Sequence, residues 1–105
     1  MLAYCRFHRL PTLRKSHLKR LACALKEISV PTLIMAMGGH YFIRDNEIHY
    51  EAAASKDKDY IVVEGSVHGM TPCEACSRIT GQSYSNVTRN LYDYAANWAN
   101  QRFKP

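Results

Sequence analysis

Tyr60-Ile61-Val62-Val63-Glu64-Gly65-Ser66-Val67-His68-Gly69 joins an apolar, strand-compatible run to a glycine-bearing loop that carries a histidine. A matching run lies upstream, Pro31-Thr32-Leu33-Ile34-Met35-Ala36-Met37, closed by Gly38-Gly39. Proline is tolerated at the first residue of a strand. An uninterrupted apolar run, rather than alternation, predicts a strand covered on both faces, as in parallel sheets. Between the runs, residues 44–54 read as a helix, with Asp45 or Asn46 able to cap it and Ile48, Tyr50 and residues 52–54 supplying an apolar face. Ser55-Lys56-Asp57-Lys58-Asp59 is a polar loop, and residues 60–64 form the second strand. Strand, helix and strand at this spacing make a βαβ unit, which requires parallel strands and a right-handed crossover.

Downstream, residues 65–82 read as one long loop punctuated by Gly65, Gly69, Pro72 and Gly81. Long loops in compact domains are uncommon and often functional. Residues 84–103 read as a closing helix: Tyr84, Val87, Leu91, Tyr94, Ala95 and Trp98 recur at spacings of three and four, with Ser83 or Ser85 as caps. Upstream, Leu10, Leu13, Leu18, Leu21 and Leu25 recur at helical spacing in a basic segment, and Pro11 confines the helix to residues beyond it. The chain thus divides into a basic N-terminal segment, 1–27, and an α/β part, 28–105.

Charge separates the same two parts. Residues 1–27 carry seven Lys/Arg and one acid, whereas residues 28–105 carry seven basic and eight acidic residues. The net charge of +5 therefore belongs to the N-terminal quarter and gives no reason to expect nucleic acid on the folded part. Segment 1–27 admits three readings: a surface helix with a leucine stripe, a non-native start joined to the domain, or a targeting peptide. No stretch reaches the roughly 18 consecutive apolar residues of a membrane span. Neither a signal peptide nor a secreted-type cysteine framework is evident, so a cytoplasmic location is expected. The 105 residues suffice for one small domain.

His68 is the residue on which chemistry is expected. A loop leaving the C-terminal end of a parallel strand is where α/β sheets place their sites. An imidazole, with its unperturbed pKa of about 6.5, exchanges protons near working pH. The segment from Val62 to Gly69, together with the Val30–Met35 strand, the Ala53-Ala54-Ser55-Lys56-Asp57-Lys58 turn and the terminal helix, resembles the C-terminal part of an α/β-hydrolase. The resemblance covers residues 28–103. It implies a partial α/β-hydrolase fold: a βαβ unit of two parallel strands, a long loop and a C-terminal helix, preceded by the basic N-terminal helix. It further implies that His68 is the catalytic histidine of a serine hydrolase acting on an ester, amide or related acyl bond. No G-x-S-x-G nucleophile elbow occurs anywhere in the sequence. The expectation is therefore a truncated hydrolase that contributes the histidine without the serine, acting in its intact form on a small-molecule acyl substrate.

The acid of the triad is not where the family pattern puts it. The resemblance implies Asp or Glu just after the preceding strand, but the stretch here is Met37-Gly38-Gly39-His40. An imidazole at His40 does not stabilise an imidazolium at His68 as a carboxylate would. Asp45 is the nearest substitute, and its competing reading is a helix cap. Tyr41 and Phe42 either line a substrate pocket or, the reading favoured here, pack under the helix. His68, Cys73 and Cys76 spell His-x4-Cys-x2-Cys, one ligand short of a structural zinc site, and no metal or other cofactor is expected. Free thiols are favoured for Cys73 and Cys76 over a local disulfide. A reading from a different class is a small binding module whose basic N-terminal helix contacts an acidic partner or nucleic acid. A two-stranded unit also exposes sheet edges, so self-association is expected.

Overall fold

The computed structural model describes residues 16–40 and 42–103. Its elements are α1 (Ser16–Leu25), β1 (Thr32–Met37), α2 (Ile43–Ala52), β2 (Lys58–Val63), α3 (Glu74–Thr80) and α4 (Val87–Arg102). The two strands pair in parallel, from Thr32 opposite Lys58 to Met37 opposite Val63, with α2 as the crossover. This is the mixed α/β arrangement expected from the two apolar runs. The first fifteen residues, with Leu10, Pro11 and Leu13 of the basic segment, lie outside the described residues, as does Tyr41.

The second strand begins two residues earlier than its apolar run, because Lys58 and Asp59 find partners. The Lys58 ammonium donates to the carbonyls of Tyr50 (2.7 Å) and Ala53 (3.0 Å) at the end of α2. Asp59 accepts from the Trp98 indole at 2.7 Å and from Arg102 at 3.1 Å. Polar residues can thus open a strand whose sequence signal starts only at Tyr60.

The helices pack through small side chains. α2 lies against α1 and both strands and buries Ile48 and Ala52, while α1 buries Ala22 and Cys23. The Ala54 N–H donates to the Leu25 carbonyl at 3.1 Å, tying the two helix ends together. Cover on the sheet is thinner than two buried faces would require. Ala36 is the one fully buried strand residue among those described, and Val62 is 48% exposed. The expectation of strands covered on both faces is therefore corrected to a half-buried sheet. Each strand has an open edge among the described residues, and open edges recruit further strands. We expect the full chain to self-associate as concentration rises; a monodisperse monomer by light scattering would oppose this.

Three boundaries differ from the sequence reading. Asp45 and Asn46 do not cap α2: Phe42 holds that position without a side-chain hydrogen bond, and both residues sit in the first turn. The terminal helix starts at Val87 with Asn86 at its cap position, so Ser83 and Ser85 lie in the preceding turn. Its buried set is Val87, Leu91 and Trp98, whereas Tyr94 faces solvent. The stretch 65–82 is not a single loop but contains α3, closed by Gly81 in the left-handed conformation.

Candidate functional site

The C-terminal ends of the two strands are held together beyond the strands themselves. The Gly38 N–H donates to the Val63 carbonyl (2.9 Å) and the Gly39 N–H to the Ser66 carbonyl (2.7 Å). A side chain at Gly39 would meet the Ser66 carbonyl and the Cys73 sulfur at about 2.9 Å, so this approach of backbones needs glycine. The chain then turns at His40, whose N–H returns to the Met37 carbonyl at 3.0 Å.

After β2, Gly65 adopts a φ of 77° and Ser66 is fully buried. The Cys73 N–H closes the loop onto the Gly65 carbonyl at 2.7 Å, and Ser66 pairs with Pro72 in an antiparallel bridge. Within that frame Val67 donates to the Thr71 carbonyl and Met70 to the Val67 carbonyl, leaving His68 at the exposed tip. Met70 has a positive φ of 61°, and its carbonyl accepts from the Thr88 hydroxyl at 2.6 Å, which ties the loop to α4. The loop carrying His68 is thus built by main-chain bonds at both ends.

The two site loops bring His40 and His68 together, with ring centroids 4.9 Å apart and planes tilted by 33°. Both rings line a cavity of about 440 Å³ whose wall also includes Leu21, Met35, Met37, Phe42 and Met70. Met35 and Met37 come from one face of β1, as alternation along a strand requires. Asp45, Asn46 and His49 complete the wall from one face of α2, where residues three and four positions apart lie side by side. Phe42 stands edge-on to His40 with centroids 4.8 Å apart and is 39% exposed. The reading that packs Phe42 under the helix gives way to one in which it lines the cavity.

Asp45 therefore shares a cavity with His68, although among the described residues no hydrogen bond joins them. Its charge acts on His49, one helical turn along. Burial lowers the His49 pKa below its ordinary value, and the Asp45 carboxylate offsets part of that. The Nε2 of His49 is buried and has no hydrogen-bond partner. A histidine whose folded pKa lies below its unfolded value of about 6.5 contributes stability that is fully present above pH 6.5 and is lost as pH falls toward the folded pKa. We expect the urea midpoint of the full chain to drop on going from pH 7 to pH 5, and to drop less in His49→Gln. Equal drops in the two proteins would refute this role for His49.

Cys73 and Cys76 form a disulfide with Cα atoms 5.2 Å apart, which corrects the preference for free thiols. Cys73 is at the cap position of α3, and its sulfur accepts from the Cys76 N–H at 3.1 Å. Its formation also removes both sulfurs as thiolate partners for His68. No group of three or more His, Cys, Asp or Glu side chains among the described residues has metal-binding spacing. Among those residues, too, no helix is long and apolar enough to cross a membrane.

The place of His68, on the loop after the second strand and on the cavity wall, follows the reading of its loop. That of His49 does not, since its neighbours in sequence suggest only a helix surface. Its position four residues after Asp45 was the available signal.

No protein-family model matches the chain, and no curated protein or solved structure matches it either. Function therefore rests on the site's own geometry.

Proposed function

We propose that this chain carries the acid/base part of an α/β-hydrolase-type site for acyl transfer. The observation that supports it is His68 on the loop after the second parallel strand, at the mouth of a largely apolar cavity. There His68 would take a proton from the attacking oxygen as it adds to an acyl carbonyl, and return it to the leaving group. Asp45 is the carboxylate of the cavity wall and the group available to stabilise the imidazolium. His40 stands against His68 and restricts its ring. The sequence holds no G-x-S-x-G serine, so water is the nucleophile that this chain itself can activate. As for compartment, a Cys73–Cys76 disulfide fits an oxidising one, against the cytoplasmic location expected from the lack of an evident signal peptide and secreted-type cysteine framework.

The test is hydrolysis of an activated aryl ester by the full chain. A positioned general base contributes about 10²–10⁴-fold; with no elbow serine, we expect the lower end, about 10²-fold over buffer. His68→Gln should return the rate to the buffer level while circular dichroism stays unchanged. A fluorophosphonate should label no serine. Ester hydrolysis unaffected by His68→Gln, or labelling of one defined serine, would overturn the proposal.

A further inference from the structure

The cavity's lining also restricts what it can hold, and this step rests on the acyl-hydrolase reading above. Three of its lining residues are methionines, Met35, Met37 and Met70, joined by Leu21 and Phe42. Thioether side chains are unbranched and polarizable, and they adapt to flexible ligands better than β-branched residues do. The volume, about 440 Å³, falls in the lower half of the range for small-ligand pockets. Among the described residues no Lys or Arg lines the cavity, and Asp45 does. Against these residues an anionic group would lose water, meet the Asp45 carboxylate and find no Lys or Arg to pair with. His49 offers no compensating charge, since burial favours its neutral form. The imidazoles of His40 and His68 lie together on the wall, so a ligand's polar end belongs beside them and its apolar remainder against the methionines.

We infer that the cavity takes a neutral, unbranched acyl chain of medium length, with its carbonyl at His68 and its tail against Met35, Met37 and Met70. The described residues of the same wall disfavour acyl groups ending in a carboxylate or phosphate.

Methyl hexyl ketone has the carbonyl and the tail but cannot be hydrolysed, so its binding is read independently of turnover. The full chain, carrying carbon-13 in its methionine methyl groups, is titrated with this ketone, with acetone, and with the ω-carboxylate analogue of the same length. We expect saturable shifts at Met35, Met37 and Met70 with the ketone, and binding at least about tenfold weaker for the other two, a difference of about 1.4 kcal/mol. Equal affinity for the carboxylate, or no saturable shift at these three methyls, would overturn the inference. Discriminating ketone binding without His68-dependent esterolysis would support the chain-length assignment and sink the hydrolase reading. Esterolysis without discrimination would do the reverse.

Discussion

Gly65→Ala should destabilise the chain by about 3 kcal/mol or more and disturb the His40–His68 pairing. Gly65 sits at a φ of 77°, where a Cβ costs roughly 1–2 kcal/mol. An added Cβ would also land on the ring of Tyr84. That ring is not free to leave: its hydroxyl donates to the Glu64 carboxylate at 3.1 Å and lies 3.4 Å from the Thr80 hydroxyl. Forcing extra volume into such a contact costs about 1–3 kcal/mol more. The sum is a large share of the roughly 5–15 kcal/mol that stabilises a typical domain. Gly65 also accepts the Cys73 N–H that closes the His68 loop, so relief of the overlap moves the site. Gly81→Ala is the control. Gly81 has a similar φ of 75°, but nothing lies within 4 Å of its Cβ position. There the conformational cost stands alone, roughly 1–2 kcal/mol. Urea unfolding measures both variants, and the proton resonances of the two imidazoles report on the site. Equal losses in the two variants would show that the Tyr84 contact contributes nothing.

The same loop shows what a sequence can and cannot reveal. The βαβ order was legible because β1 and the last four residues of β2 are apolar runs bounded by glycine and polar residues. The meeting of His40 and His68 is a consequence of that order, since loops leaving adjacent parallel strands at the same end are neighbours. The start of β2 was illegible: Lys58 and Asp59 belong to the strand through partners eight and about forty residues away. Helix α3 was illegible for a different reason. It buries no residue fully, so it has no apolar periodicity, and Pro72 and Gly81 make its surroundings read as loop. The cavity wall was hidden because Met35 and Met37 look like ordinary core residues of a strand. Only the placement of α1 and the His68 loop turns that strand face into the lining of a cavity.

Trp98→Ala should be the most damaging change on α4, at about 3–5 kcal/mol, the range for truncating a buried large aromatic. Trp98 is 8% exposed and closes the C-terminal half of α4 onto the start of β2. Truncation would leave the Asp59 carboxylate without its 2.7 Å indole donor, and would remove the ring over which the Arg102 guanidinium lies at 4.0 Å. Trp98→Phe keeps most of the packing and loses one hydrogen bond to a charged group, worth about 1.5–3 kcal/mol. Arg102→Ala should cost less than either. Its pairs with Asp57 (2.8 Å) and Asp59 (3.1 Å) involve carboxylates about half exposed, and such pairs contribute about 0–1 kcal/mol each. The Asp57 and Asp59 pairs are screened by salt, whereas the indole contact is not. Raising the ionic strength should therefore shrink the Arg102→Ala effect and leave the Trp98→Ala effect in place. If Arg102→Ala proved the costlier change at high salt, the anchor of α4 would be the ion pairs and not the buried ring.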